Sequence, residues 1–427
     1  MGTSESEQSS SLLERIKRRT KSGGPGWLLS AYTLGSGTAI GSLWAGAQFG
    51  YNLLWVQPLA MLMGIIILSG AAYFALSSEK TPYQRFRAEL GIGMALSWGL
   101  ASLFASIIWH FPQYGLAYAA IQGLSGVPDT TISQALIGGS ILAVAIALTW
   151  SYTSGVGLLI YELLIKLFVW MTILCVGIVV VATPVDWGRV VIGLTSFEAP
   201  AGSSMIIFGL LGAAVGINMT FLYPYTVRAK GWGKGDTRLA VRDLITGMML
   251  PFVFATGLLL IASAATLHEG GIQLDRSRIT EMAGVFQPVF GQNLGQILFH
   301  LGILAMPLGT ITLHMLTSGF IVSEMFGLKH GGWGWRLGTL VPAIGVLGVA
   351  YPLKGWLPVA ASAICLIFLP IAYIGFFLLF RKDSLKPDAA PVKALGLVHL
   401  IMLIVVMIIS FLAIVKVVDS AKTLFGG

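Results

Sequence analysis

Two short runs in this 427-residue chain have the composition of ligand sites. Gly35-Ser36-Gly37-Thr38 interrupts the apolar stretch from Gly24 to Trp55, and Gly216-Ile217-Asn218 interrupts another that runs from residue 202 to 227. Each run sets glycine beside hydroxyl or amide groups, within a segment long enough for the about 20 apolar residues that a bilayer crossing needs. Glycine lowers the cost of leaving helical dihedrals. Ser36 and Thr38 are suited to cap a helix that restarts after them. The spacing predicts a half-helix, an unwound stretch at mid-membrane and a second half-helix, in both places. Open backbone at that depth survives only where it lines a cavity or is buried in protein. Interrupted helices are also where secondary transporters hold their ligands. The competing reading is a continuous helix with a packing face of small residues.

A few other residues could do chemistry inside apolar surroundings. Trp109-His110-Phe111-Pro112-Gln113 places an imidazole and an amide beside a proline. His110 is a candidate proton carrier, since imidazole titrates near neutral pH. Equally, it can satisfy the carbonyl that Pro112 leaves without a donor. Glu162 and Lys166 are four apart and share a helix face, which favours a structural pair over a proton site. His314 lies among Thr310, Thr312 and Thr317 and is a candidate for substrate contact, as is Trp109. The glycine-rich basic run Arg228 to Asp236 lacks the lysine-serine ending and the strand context of a phosphate loop.

The elements that position these residues follow from composition. The chain is 56% hydrophobic and 10% charged, against roughly 25% charged in soluble domains, so a soluble fold is excluded. Mean hydropathy is +0.84. Apolar runs separated by polar turns predict eleven spans, near 24–50, 52–76, 91–123, 132–150, 158–182, 202–227, 243–266, 291–325, 337–353, 356–380 and 395–415. Residues 1–22 are serine- and glutamate-rich, then basic, and read as a disordered cytoplasmic arm. The remainder reads as one transmembrane domain. Nineteen of the 26 Lys and Arg residues fall on the side of the N-terminal arm and six on the other, with Lys166 inside the membrane. That bias predicts a cytoplasmic N-terminus and an extracytoplasmic C-terminus. The net charge of +8 is thereby explained by topology, without nucleic acid. Cys175 and Cys365 both lie in apolar runs, so no disulfide framework is expected. The two broken spans are five apart. An odd offset of five is what inverted repeats of five helices produce. The expected fold is therefore an all-α LeuT-type 5+5 inverted repeat, with repeats near 24–182 and 202–380 and an extra helix near 395–415.

The flanks of both breaks resemble the Nramp family of proton-coupled divalent metal transporters. The likeness is carried by Gly24-Pro25-Gly26 and Ala47 to Trp55 in the first span, Gly209 to Val215 in the sixth, and Arg238 to His268 around the seventh. It covers spans one to ten. What the family implies for the site is where this chain departs. The family's first-span Asp-Pro-Gly-Asn motif corresponds to Gly35, Ser36, Gly37 and Thr38. Its sixth-span Met-Pro-His motif corresponds to Gly216, Ile217 and Asn218. His110 and Gln113 stand where acidic residues often serve proton movement, while the fifth-span glutamate persists as Glu162.

Loss of the anionic and thioether ligands predicts a small organic solute as cargo rather than a bare dication, whose desolvation the remaining neutral groups would not offset. Gly35 and Gly216 would widen the pocket, and Trp44, Trp109, Tyr114 and Phe221 would line it. Free helix ends at the breaks suit an anionic group on the cargo. Alternatives are a divalent metal carrier with an atypical site using Asn218 and Thr38, and a transport-inactive sensor or scaffold. No grouping of nucleophile, base and acid points to an enzyme. No cofactor is expected. The expected partners are the cargo and the lipid bilayer, in a bacterial inner membrane, with a monomer compatible with the sequence.

Overall fold

The computed structural model describes residues 24–151, 156–271, 279–350, 356–385 and 390–425. These are helical, with no strand among the described residues. Nine helical segments are long and apolar enough to cross a membrane among those residues. The first span, split into Gly26–Thr33 and Ser36–Phe49, and the fifth, Val156–Ala182, complete the eleven. The predicted disordered arm, residues 1–22, lies outside the described residues. The architecture is the LeuT-type 5+5 arrangement plus an eleventh helix.

Burial sorts the spans. The sixth, Ser204–Ala229, has 89% of its most apolar window buried, against 22% for the fourth, Thr131–Ser151, and 28% for the eleventh, Val392–Ser420. The first span is buried along almost its whole length. Both interrupted spans thus run through the centre, surrounded by protein, as open backbone in a membrane requires. The peripheral helices turn leucine, isoleucine and valine outward, as a lipid-facing surface should.

The third span, Ile92–Ser125, is a continuous helix that passes through Pro112. It packs along the eighth, Gln287–Phe326, and against the ninth. The eighth departs from helical dihedrals at Gly291, whose φ is 72°. The ninth segment, Trp333–Ala350, is not an ordinary α-helix. After Trp333–Thr339 it tightens into a 3₁₀ helix over Val341–Ala350. Residues three apart eclipse one another in that geometry, which aligns Pro342, Gly345 and Gly348 on one face. That face meets the third span closely: a Cβ on Gly348 would lie 2.0 Å from Phe111 O. The register brings the carbonyl of Pro342 to His110.

Two contacts tie the broken spans to their surroundings. Asp243 Oδ2 accepts a hydrogen bond from Gly26 N at 2.7 Å, at the start of the first half-helix, where a carboxylate also suits the helix dipole. Arg228, near the end of the second half of span six, donates to the carbonyls of Ala75, in the last turn of the second span, and of Ser78, Glu79 and Lys80 just beyond it.

Candidate substrate-binding site

The first break is two residues long. Helix Gly26–Thr33 ends at Leu34, and Ser36–Phe49 begins after an extended Gly35. Ser36, Gly37 and Thr38 therefore form the first turn of the second half-helix and are not unwound, as the sequence suggested. Ser36 and Thr38 do not cap it either; the N-cap is Gly35, without a side-chain bond. Thr38 faces backward instead. Its Oγ1 lies 2.6 Å from Thr33 O and 3.1 Å from Gly35 O, so the hydroxyl donates across the break. The reason is that the last carbonyls of the first half-helix lack their usual partners. Ser36 N donates to Gln113 Oε1 at 3.2 Å.

The second break falls at Val215 and Gly216, between Ser204–Ala214 and Ile217–Ala229. Gly216 has φ −86° and ψ 158°, an extended conformation open to any residue. Room, rather than dihedral freedom, calls for glycine there: a Cβ would stand 2.5 Å from Asn218 Oδ1 and 2.8 Å from the Trp109 ring. The expected widening of the pocket by Gly216 does not occur, because Trp109 occupies the space. Ile217 contributes its carbonyl to the Thr220 hydroxyl at 2.5 Å. Asn218 is fully buried. Its Nδ2 donates to Tyr32 Oη at 2.9 Å and to Ser106 Oγ at 3.2 Å, while its Oδ1 has no hydrogen-bond partner among the described residues.

A small cavity opens at the first break. Tyr32, Thr33 and Gly35 to Thr38 line it from the first span, and Trp109, Pro112 and Gln113 from the third. Ala213, Thr310, Pro358 and Ser362 complete the wall from spans six, eight and ten. None of these residues is charged. Of the residues singled out from the sequence, the cavity gathers Gly35, Ser36, Gly37, Thr38, Trp109 and Gln113. Gly216, Ile217, Asn218 and His314 are outside its lining, with Trp109 and Tyr32 as shared neighbours. Trp44, Tyr114 and Phe221 do not line it; Phe221 packs on Trp98 with ring centroids 4.7 Å apart, and Tyr114 on His110 at 5.2 Å.

His110 does not serve the carbonyl released by Pro112. Its Nδ1 meets Pro342 O, and its Nε2 lies 3.3 Å from Ile311 O. Carbonyls only accept, and a neutral imidazole has one N–H, so a neutral ring satisfies one of the two. Glu162 and Lys166 fall on the fifth helix, but their side chains lie outside the described residues.

The donors at the cavity are hydroxyl, amide and carbonyl groups. No group of three or more His, Cys, Asp or Glu gathers at a possible metal site among the described residues. Among the polar lining residues, the sequence reading missed Tyr32, Thr33, Thr310 and Ser362. Thr310 precedes His314 by one helical turn, a spacing that was visible. Ser362 carries no such signal: it belongs to the site because span ten packs on Gly37, where a Cβ would meet Ser362 Oγ at 2.3 Å.

The chain is similar to known transporters along most of its length. It is 25% identical over 339 residues to the divalent metal cation transporter MntH of Bradyrhizobium diazoefficiens, covering 76% of this chain and 73% of that protein. It superposes on a crystal structure of a mutant manganese transporter from Eremococcus coleocola with a TM-score of 0.75 and 15% identity, covering 94% of this chain and 87% of that one. A closed, bromovinylhydantoin-bound transporter of the nucleobase-cation-symport-1 family shares the fold at a TM-score of 0.58 and 15% identity, with 93% of each chain covered. The model of the natural resistance-associated macrophage protein-like family, Nramp, matches residues 26–418. With its two central breaks, its eleven spans and a family match across nearly all of them, this chain belongs to the Nramp family of membrane transporters.

Proposed function

We propose that the chain carries a divalent metal ion across the membrane by alternating access, using an atypical site of neutral oxygen ligands at the paired breaks. The observation that carries this reading is the position of the cavity, which opens at the first break, at residues aligned with the family's first-span metal motif. Membership of the family, and similarity over 76% of the chain to a protein named as a divalent metal cation transporter, support it. Ser36 Oγ is buried without a hydrogen-bond partner among the described residues, and the helix ends release further carbonyls.

The organic-solute reading drawn from the lost ligands has less behind it than the metal reading. One observation still favours it: the lining holds no carboxylate and no thioether, so nothing there offsets a dication's charge. Proton coupling through His110 or Glu162 belongs with the metal reading as its second part. The experiment is uptake into proteoliposomes loaded with a metal-quenched dye, with and without an imposed pH gradient. Saturable manganese entry, competed by other divalent ions and lost in Gly37→Leu, is expected. If manganese and magnesium both fail to enter while an organic solute does, the metal reading falls. Transport of neither kind would favour a sensor or scaffold.

A further inference from the structure

His314 is a buried polar group in contact with aromatic rings. It sits fully buried in the eighth span, and neither ring nitrogen has a hydrogen-bond partner among the described residues. An imidazole in that state gives up its hydration for nothing in return. Aromatic rings surround it rather than donors or acceptors. The Tyr32 ring lies 4.9 Å away edge-on, Trp109 5.7 Å and His110 5.8 Å. His110, by contrast, has a carbonyl at each nitrogen.

Position adds to chemistry. Thr310, four residues earlier on the same helix face, lines the cavity, so His314 lies one turn beyond the wall. Asn218 is tied to the same Tyr32, and it too leaves a lone-pair atom unused, its Oδ1. An unpartnered ring nitrogen and an unpartnered amide oxygen thus both neighbour one tyrosine and one tryptophan where the two broken spans meet. Both are uncharged, and both are good ligands for a metal ion.

We propose that His314 is the nitrogen ligand of the transported cation, acting with Asn218 Oδ1 to select a borderline transition-metal ion over magnesium and calcium. This rests on the metal reading above and deepens it. Imidazole suits borderline ions, whereas oxygen-only sets suit magnesium and calcium. Without His314, the site offers oxygen alone and has no basis for that choice. Tyr32 touches both groups, its ring against His314 and its Oη accepting from Asn218 Nδ2 at 2.9 Å, so an ion held by His314 and Asn218 Oδ1 displaces the tyrosine from that amide.

The test is calorimetry of cobalt(II) and magnesium on the full chain in nanodiscs, for the wild type and for His314→Gln. Thermal unfolding without metal serves as the folding control. Cobalt affinity should fall by at least about tenfold, the loss that removing even an outer partner of a metal ligand produces, while magnesium affinity stays the same. Electron spin-echo spectra of the cobalt-loaded wild type should show modulation from a directly bound nitrogen. That measurement needs no variant, so it decides the matter even if His314→Gln fails to fold. Cobalt binding with no nitrogen modulation, or with equal affinity in the variant, would overturn the role of His314 and leave the metal reading standing. Binding of no cation by the wild type would overturn both.

Discussion

Asn218 Nδ2 donates to Tyr32 Oη over 2.9 Å, a direct hydrogen bond between the second half of span six and the first half of span one. The two interrupted helices are joined at the point where both leave helical geometry. A side chain from each repeat thus meets the other, and among the described residues the amide is left with one unused acceptor, Oδ1.

Replacing that amide by a carboxylate of the same shape supplies the anionic ligand that the cavity lacks. Asn218→Asp accepts from the hydroxyls of Tyr32 and Ser106, so the link between the helices is kept. Manganese affinity, measured by calorimetry, should rise by about tenfold or more, since affinity at oxygen sites grows with ligand charge. An unchanged affinity would place Asn218 away from the ion.

Thr38 is a staple across the first break, and its loss should be felt in stability rather than in binding. Thr38→Val removes the hydroxyl that reaches Thr33 O at 2.6 Å. The expected cost is about 1 kcal/mol, typical of one buried hydrogen bond, seen as a lower thermal midpoint. Cargo affinity should stay at the wild-type value; a large drop would make Thr38 a ligand instead.

Gly216→Ala tests whether space or flexibility requires glycine at the second break. Its dihedrals are open to alanine, but the added methyl runs into Trp109 and Asn218 Oδ1. Overpacking of this kind costs about 1–3 kcal/mol. Trp109→Phe in the same chain should recover part of it, because the smaller ring leaves room. Thermal unfolding of the two single variants and the double variant gives the comparison, and additivity of the losses would show that Trp109 is not the obstacle.

Arg85 anchors the turn after the second span. It is 4% exposed, with Nε 2.6 Å from Glu89 Oε1 and Nη2 3.1 Å from Asp383 Oδ1. Burial opposes its charge, and the hydrogen bonds it donates to the Glu89 and Asp383 carboxylates reverse that, holding its pKa above the ordinary arginine value. The guanidinium is therefore charged at any working pH. Arg85→Ala leaves the buried Asp383 without this partner and should cost about 3–5 kcal/mol. The double variant Arg85→Ala with Asp383→Ala should lose less than Arg85→Ala alone, as thermal unfolding can show.

The sequence by itself determined the membrane class, the number of spans and the location of both breaks. Those features are local: apolar runs of spanning length, polar turns between them, and glycine beside a hydroxyl or amide where a helix has to stop. It placed the breaks within one or two residues and no better, because Gly35 and Gly216 adopt dihedrals that many residues tolerate. The flanking residues also carried the resemblance to Nramp across the two altered motifs. Tertiary structure alone decided which polar groups meet. Thr38 turns back to Thr33 rather than into the cavity, Trp109 fills the space at Gly216, and His110 faces Pro342 because the ninth segment winds as a 3₁₀ helix. Ser362 reaches the site from a span with no polar signature. The physical reason is that a side chain's partner in a packed bundle depends on the rotation and offset of a neighbouring helix, set by small residues such as Gly37 and Gly348 on facing surfaces. Neither quantity is written in the periodicity of either helix.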